Sequence, residues 1–187
     1  SVTSGSVSVT TGTSSLGTSG SVNIATGTVL KGPGGNVTID VGLGMKGSSG
    51  GNITLSAGDA ADQAATGGNV VIAAGAGLSK HQRNGGDGGA VEITGGRADG
   101  RGPSDLGGDI TLSGGDASAA SGGSITLATS DAGKAGVSGR VAINTGTSSA
   151  GNTGAVSIDT GAATGGRSGS ISLQVGTGDV QFRESII

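Results

Sequence analysis

An apolar residue, a polar or small one, and a second apolar residue recur along this chain as a fixed phrase. The register reads small residue, Gly, any, apolar, any, apolar, two more residues, then usually Gly. Its copies begin at Ser4, Ser19, Gly34, Gly50, Gly67, Gly88, Gly107, Gly122, Ser138, Thr153 and Ser168, eleven in all, at steps of 15, 15, 16, 17, 21, 19, 15, 16, 15 and 15 residues. The first apolar place holds Val7, Val22, Val37, Ile53, Val70, Val91, Ile110, Ile125, Val141, Val156 and Ile171. The second holds Val9, Ile24, Ile39, Leu55, Ile72, Ile93, Leu112, Leu127, Ile143, Ile158 and Leu173, so all 22 places are Val, Ile or Leu. The closest pair of copies, GGNITLSAGDA at 50–60 and GGDITLSGGDA at 107–117, agrees at nine of eleven residues. A phrase that returns so often marks a repeated structural unit rather than a single catalytic site.

Alternation with a period of two puts both apolar residues of a copy on one side of an extended segment. A segment of about five residues cannot bury that side alone. Stacking one strand per coil, parallel and in register, would cover each copy with its neighbours. The pattern therefore predicts an all-β chain, a single-domain parallel β-solenoid (β-helix) of about eleven coils of 15–21 residues. The 22 apolar places would be buried in two columns, the glycines would serve sharp corners, and small residues such as those at 59–66 would let the opposite wall approach. The repeat domain would span 1–178. Residues 179–187 would form a C-terminal cap or subunit-docking tail, with Val180, Phe182, Ile186 and Ile187 covering the last coil or a neighbouring subunit.

The repeat resembles the Gly-, Ser- and Thr-rich β-solenoid repeats of secreted adhesins, cell-surface proteins and extracellular filaments. That resemblance runs from residue 4 to about 178 and is one of architecture. The calcium-binding nonapeptide phrase of other β-rolls is absent, and the resemblance implies no catalytic residues.

Composition narrows the alternatives. The chain has 187 residues with 44 Gly, two Pro, one Phe and no Trp, Tyr or Cys. Gly at this density weakens any helix by roughly 1 kcal/mol per interior residue relative to Ala, and Gly does not fall at every third place as collagen requires. A core of large interlocking side chains is excluded. Charged residues are 12% and the net charge is −3, a mildly acidic balance that argues against nucleic-acid binding by phosphate neutralisation. No apolar run reaches the length of a membrane span. Without cysteine there is no disulfide and no thiolate metal site.

Three stretches carry candidate chemistry. GLGMKG at 42–47 fits GxGxxG after a strand-like segment, but a dinucleotide fingerprint needs a helix next and the chain supplies another copy, so its glycines are read as structural. The longest copies place their extra residues in two loops, 78–87 and 97–106, which hold Lys80, His81, Arg83, Arg97 and Arg101, five of the chain's eleven Lys, Arg and His residues. Loops on a scaffold often carry binding residues, so these five are the candidate contacts to a surface glycan or protein partner. The bland reading is a pair of solvated loops neutralised by Asp87, Asp99 and Asp105. In a solenoid the two loops would project side by side from adjacent coils. Asn36 and Asn52 each begin an N-x-Thr glycosylation acceptor at equivalent places of neighbouring copies; the plainer reading is that Asn begins the strand. His81 is the only histidine, and no carboxylates fall at a metal-ligand spacing.

These readings point away from an enzyme. The expectation is a non-enzymatic structural repeat protein without cofactor, a rigid rod in an extracellular filament, surface layer or adhesin, located outside the cell or at its surface. It would self-associate end to end through exposed coil ladders, either as a stacked chain or as a piece of a longer array. The alternative is an ice-binding (antifreeze) protein using a flat Thr-, Ser- and Ala-rich solenoid face. Against it, the column between the apolar places has Thr at only Thr38, Thr54, Thr111 and Thr126 and is broken by Glu92. A polysaccharide lyase or hydrolase, the third class, would want aromatic platforms that this chain lacks.

Overall fold

The computed structural model describes residues 4–81 and 83–177. The chain divides into two units, Ser1–Ile93 and Thr94–Ile187, and each is described by itself. The predicted C-terminal cap, with Val180, Phe182, Ile186 and Ile187, lies outside the described residues.

Within both units the copies are segments without regular secondary structure, and the chain bends once between each copy and the next, at 15–17, 30–32, 46–47, 62–64, 83–84, 102–104, 118–120, 134–135, 149–151 and 164–166. Four of these bends are hydrogen-bonded turns. Ser48 N donates to Met45 O at 3.3 Å, Ala65 N to Asp62 O at 3.2 Å, Asp105 N to Gly102 O at 3.1 Å and Gly136 N to Gly133 O at 3.2 Å. In the first, Lys46 (φ 56°) and Gly47 (φ 78°) both lie in the left-handed region, as a type I′ turn requires.

The predicted β-solenoid is not what these segments form. The described residues contain no strand and no helix, so the expected β-helix, with its parallel in-register sheet, is absent. The two buried columns are absent with it, and no described residue is buried. In ten of the eleven copies the first apolar residue is 51–55% exposed, and the second is 63–75% exposed in all eleven. Apolar residues in the loops are barer, as with Leu30 at 98% and Val137 at 94%. The chain exposes 18897 Å², against about 7,800 Å² for a compact protein of its mass and roughly 25,000 Å² for the extended chain.

The physical reason lies at the junctions. A ladder needs a run of main-chain bonds between neighbouring segments, whereas here at most one direct main-chain bond joins consecutive copies at the foot of each segment. The eighth residue of each copy meets the second residue of the next, which is Gly in every copy. A Cβ on that Gly would lie 2.7 Å from Val41 at Gly51, 3.3 Å from Ala57 at Gly68 and 3.1 Å from Thr129 at Gly139. Where the eighth residue is Ala or Gly (Ala57, Ala74, Gly95, Gly114) the backbones come close enough to bond. Gly68 N donates to Gly58 O at 2.8 Å, Gly89 N to Gly75 O at 2.9 Å, Gly108 N to Gly96 O at 2.8 Å and Gly123 N to Gly115 O at 2.7 Å. Where it is Thr or Val the side chain fills the gap and that bond is not made among the described residues. One bond is worth on the order of 1 kcal/mol net, about the backbone entropy of fixing one residue, so the foot contact does not propagate into a sheet.

This rule predicts two opposite outcomes. Ala57→Val should push the backbones apart and speed amide exchange at Gly68, whereas Thr160→Ala should let Gly169 N reach Gly161 O and slow exchange at Gly169. Residue-resolved amide exchange checks both. Unchanged rates in both variants would show that the eighth residue does not set the foot contact.

Candidate binding loops

The two long loops are closed by the same foot contacts as the short ones. The Gly75–Gly89 bond encloses loop 78–87, and the Gly96–Gly108 bond encloses loop 97–106. A junction as short as Gly115–Gly123 uses the same closure, so loop length is free above a fixed foot. Loop-closure entropy grows only slowly with length, which is why the extra residues could be inserted there.

Loop 78–87 lies in the first unit. Gly86 N donates to Ser79 O at 3.2 Å, and Gly77 packs against the backbone of Gly86 so closely that a Cβ on Gly77 would overlap it. The His81 side chain turns back onto its own loop, where Nδ1 accepts from Arg83 N at 3.4 Å and from Asn84 N at 3.3 Å. Both contacts are longer than ordinary N–H···acceptor bonds. They need the proton on Nε2. Lys80, His81 and Arg83 are all exposed.

Loop 97–106 lies in the second unit and is tied more firmly. Pro103 occupies the second place of the Gly102–Asp105 turn, where its fixed φ suits the bend. The turn is bonded both ways, because Gly102 N also donates to Asp105 Oδ2 at 2.6 Å. Arg97 pairs with Asp99 at 2.5 Å, with the two side chains 85% and 75% exposed. An ion pair that open contributes little to stability. Arg101 is exposed. Of the five candidates, the structure therefore has Lys80, His81 and Arg83 on one loop and Arg97 and Arg101 on the other. Asp99 neutralises Arg97, and Asp105 braces its loop.

The other candidates are placed as follows. Asn36 and Asn52 are exposed at the start of their segments. GLGMKG has no helix after it. It ends in the Met45–Ser48 turn, where Gly47 supplies the positive φ and a Cβ on Gly44 would lie 2.5 Å from Ser49 O. Among the described residues there is no cavity, no group of three metal-ligating side chains, and no helix long and apolar enough to cross a membrane. Sequence reasoning missed the Gly contact at the second place of the ten copies after the first. Its signal was present, since that place is Gly eleven times while the eighth place is always Thr, Val, Ala or Gly.

No protein-family model, no curated protein and no solved structure matches the chain.

Asp105→Ala should accelerate amide exchange at Gly102 roughly fivefold, the loss of one hydrogen bond to a charged acceptor in an open loop. Asp99→Ala, which removes only the exposed ion pair, should leave that amide within a factor of about two of the parent. Equal effects of the two changes would mean that charge, not the Asp105 bond, organises the loop.

Proposed function

We propose that the chain is a non-enzymatic structural repeat protein of an extracellular filament, surface layer or adhesin, acting by association of many like units. The observation that carries this reading is the sameness of the copies. Ten first-place apolar residues, from Val22 to Ile171, keep exposures within 51–55%, so one local arrangement is presented ten times. A catalytic site needs its residues once, whereas an assembling surface gains from repetition. A Ser-, Thr- and Gly-rich chain with Asn36 and Asn52 exposed suits an extracellular or cell-surface setting, and the exposed Lys80, Arg83 and Arg101 suit a glycan or protein partner. The end-to-end reading and the ice-binding alternative both relied on stacked coils, and with no sheet among the described residues neither keeps that support.

Electron microscopy of the purified chain across a concentration series tests this. Filaments, sheets or regular clusters should appear as concentration rises. Particles of monomer size at every concentration would contradict the structural reading.

A further inference from the structure

The segments leave two things open at once. Their paired Val, Ile and Leu side chains are half-exposed or more, and the main-chain bonds of the described residues lie in the turns, loops and feet, none within the segment interiors such as 53–55 or 110–112. An extended segment with an open main-chain row and an apolar side is the template on which another extended segment pairs.

Resting on the structural reading above, we propose that these apolar pairs are the association surface of the chain and that their occupant is a second copy of the same chain. Three observations single out that occupant. The first is area. The chain exposes 18897 Å², in excess of a compact protein of its mass by about 11,000 Å², several times the 1,200–2,000 Å² or so that a standard partner buries. Something as long as the chain itself is needed. The second is spacing. The pairs recur at steps of mostly 15 or 16 residues, and the sequence that offers Val, Ile or Leu at that same spacing is this one. The third is charge. With a net charge of −3 and 12% charged residues, two copies meet little electrostatic resistance. The longer steps of 17, 21 and 19 in the middle fix the alignment, because a slip by one copy would set long loops against short ones. The surface thus lies along the copies rather than at the chain's ends.

The test compares the full chain with two triple variants of equal added charge. One carries Ile110→Asp, Ile125→Asp and Val141→Asp in the apolar places. The other carries Thr111→Asp, Thr126→Asp and Ala142→Asp on the opposite side of the same segments. Static light scattering reads the mass over a concentration series. The parent and the opposite-side variant should rise together above 17.1 kDa, while the apolar-place variant stays monomeric to at least tenfold higher concentration. Association of the apolar-place variant at the parent's concentration overturns the proposed surface and leaves the structural reading standing, as does equal loss in both variants. A parent that never rises above monomer overturns the structural reading itself.

Discussion

A segment of five residues with two apolar side chains on one side cannot cover that side, nor can it satisfy its own main-chain groups. Everything else in this molecule follows from that shortfall. Each copy offers the same two places filled by Val, Ile or Leu, and the chain has one Phe and no Trp or Tyr to add large side chains to them. Burial of apolar surface at roughly 25 cal/mol per Å² is the main favourable term in folding. A chain that leaves these residues half-exposed has not collected most of it, while the conformational entropy of about 1–2 kcal/mol per ordered residue still opposes order.

What order there is comes from glycine. The second place of every copy is Gly, and in the copies after the first it lies against the end of the preceding copy, most tightly at Gly51, Gly108 and Gly123, where a Cβ would come 2.7, 3.0 and 2.9 Å from its nearest neighbour. When the eighth residue of the preceding copy is small the two backbones bond, as at Gly58–Gly68 and Gly115–Gly123. When it is Thr or Val they stay in side-chain contact. The foot contact is local and does not depend on the loop above it, so one device closes both short and long connections. This lets the cationic loops 78–87 and 97–106 differ from the rest without disturbing the copies that flank them. Their internal bonds, from Gly102 N to Asp105 Oδ2 and from Arg83 N and Asn84 N to His81 Nδ1, likewise stay within the loop.

The sequence made some of this legible. Alternation located the segments, and the stretches between them hold the ten bends of the described residues, nine of them in stretches that contain Gly, Ser or Pro. Of the glycines of GLGMKG, Gly47 serves a turn and Gly44 a close approach. Stacking was not legible, for a physical reason. Alternation states that one side of a segment is apolar, but the partner that covers that side lies elsewhere, in the same chain or in another. The solenoid supplied the partner from within, and the described residues do not. The boundary between the two units, at Ile93 and Thr94, falls in the copy flanked by both long loops. The foot contacts needed the pairing of eighth and second places to be noticed across copies, which inspection of single copies does not reveal.

The central claim is that the segments find their partners between chains rather than within one. Amide hydrogen exchange, followed residue by residue in dilute monomer and in concentrated protein, tests it most directly. In the monomer, amides within segments such as 53–55 and 110–112 should exchange at rates close to those of an unstructured chain, while Gly68, Gly89, Gly108 and Gly123 are slowed by their foot bonds. In the assembly the segment amides should become the best protected in the molecule. Strong protection of those segments in the dilute monomer would contradict the account, because it would mean that the chain already pairs them with itself.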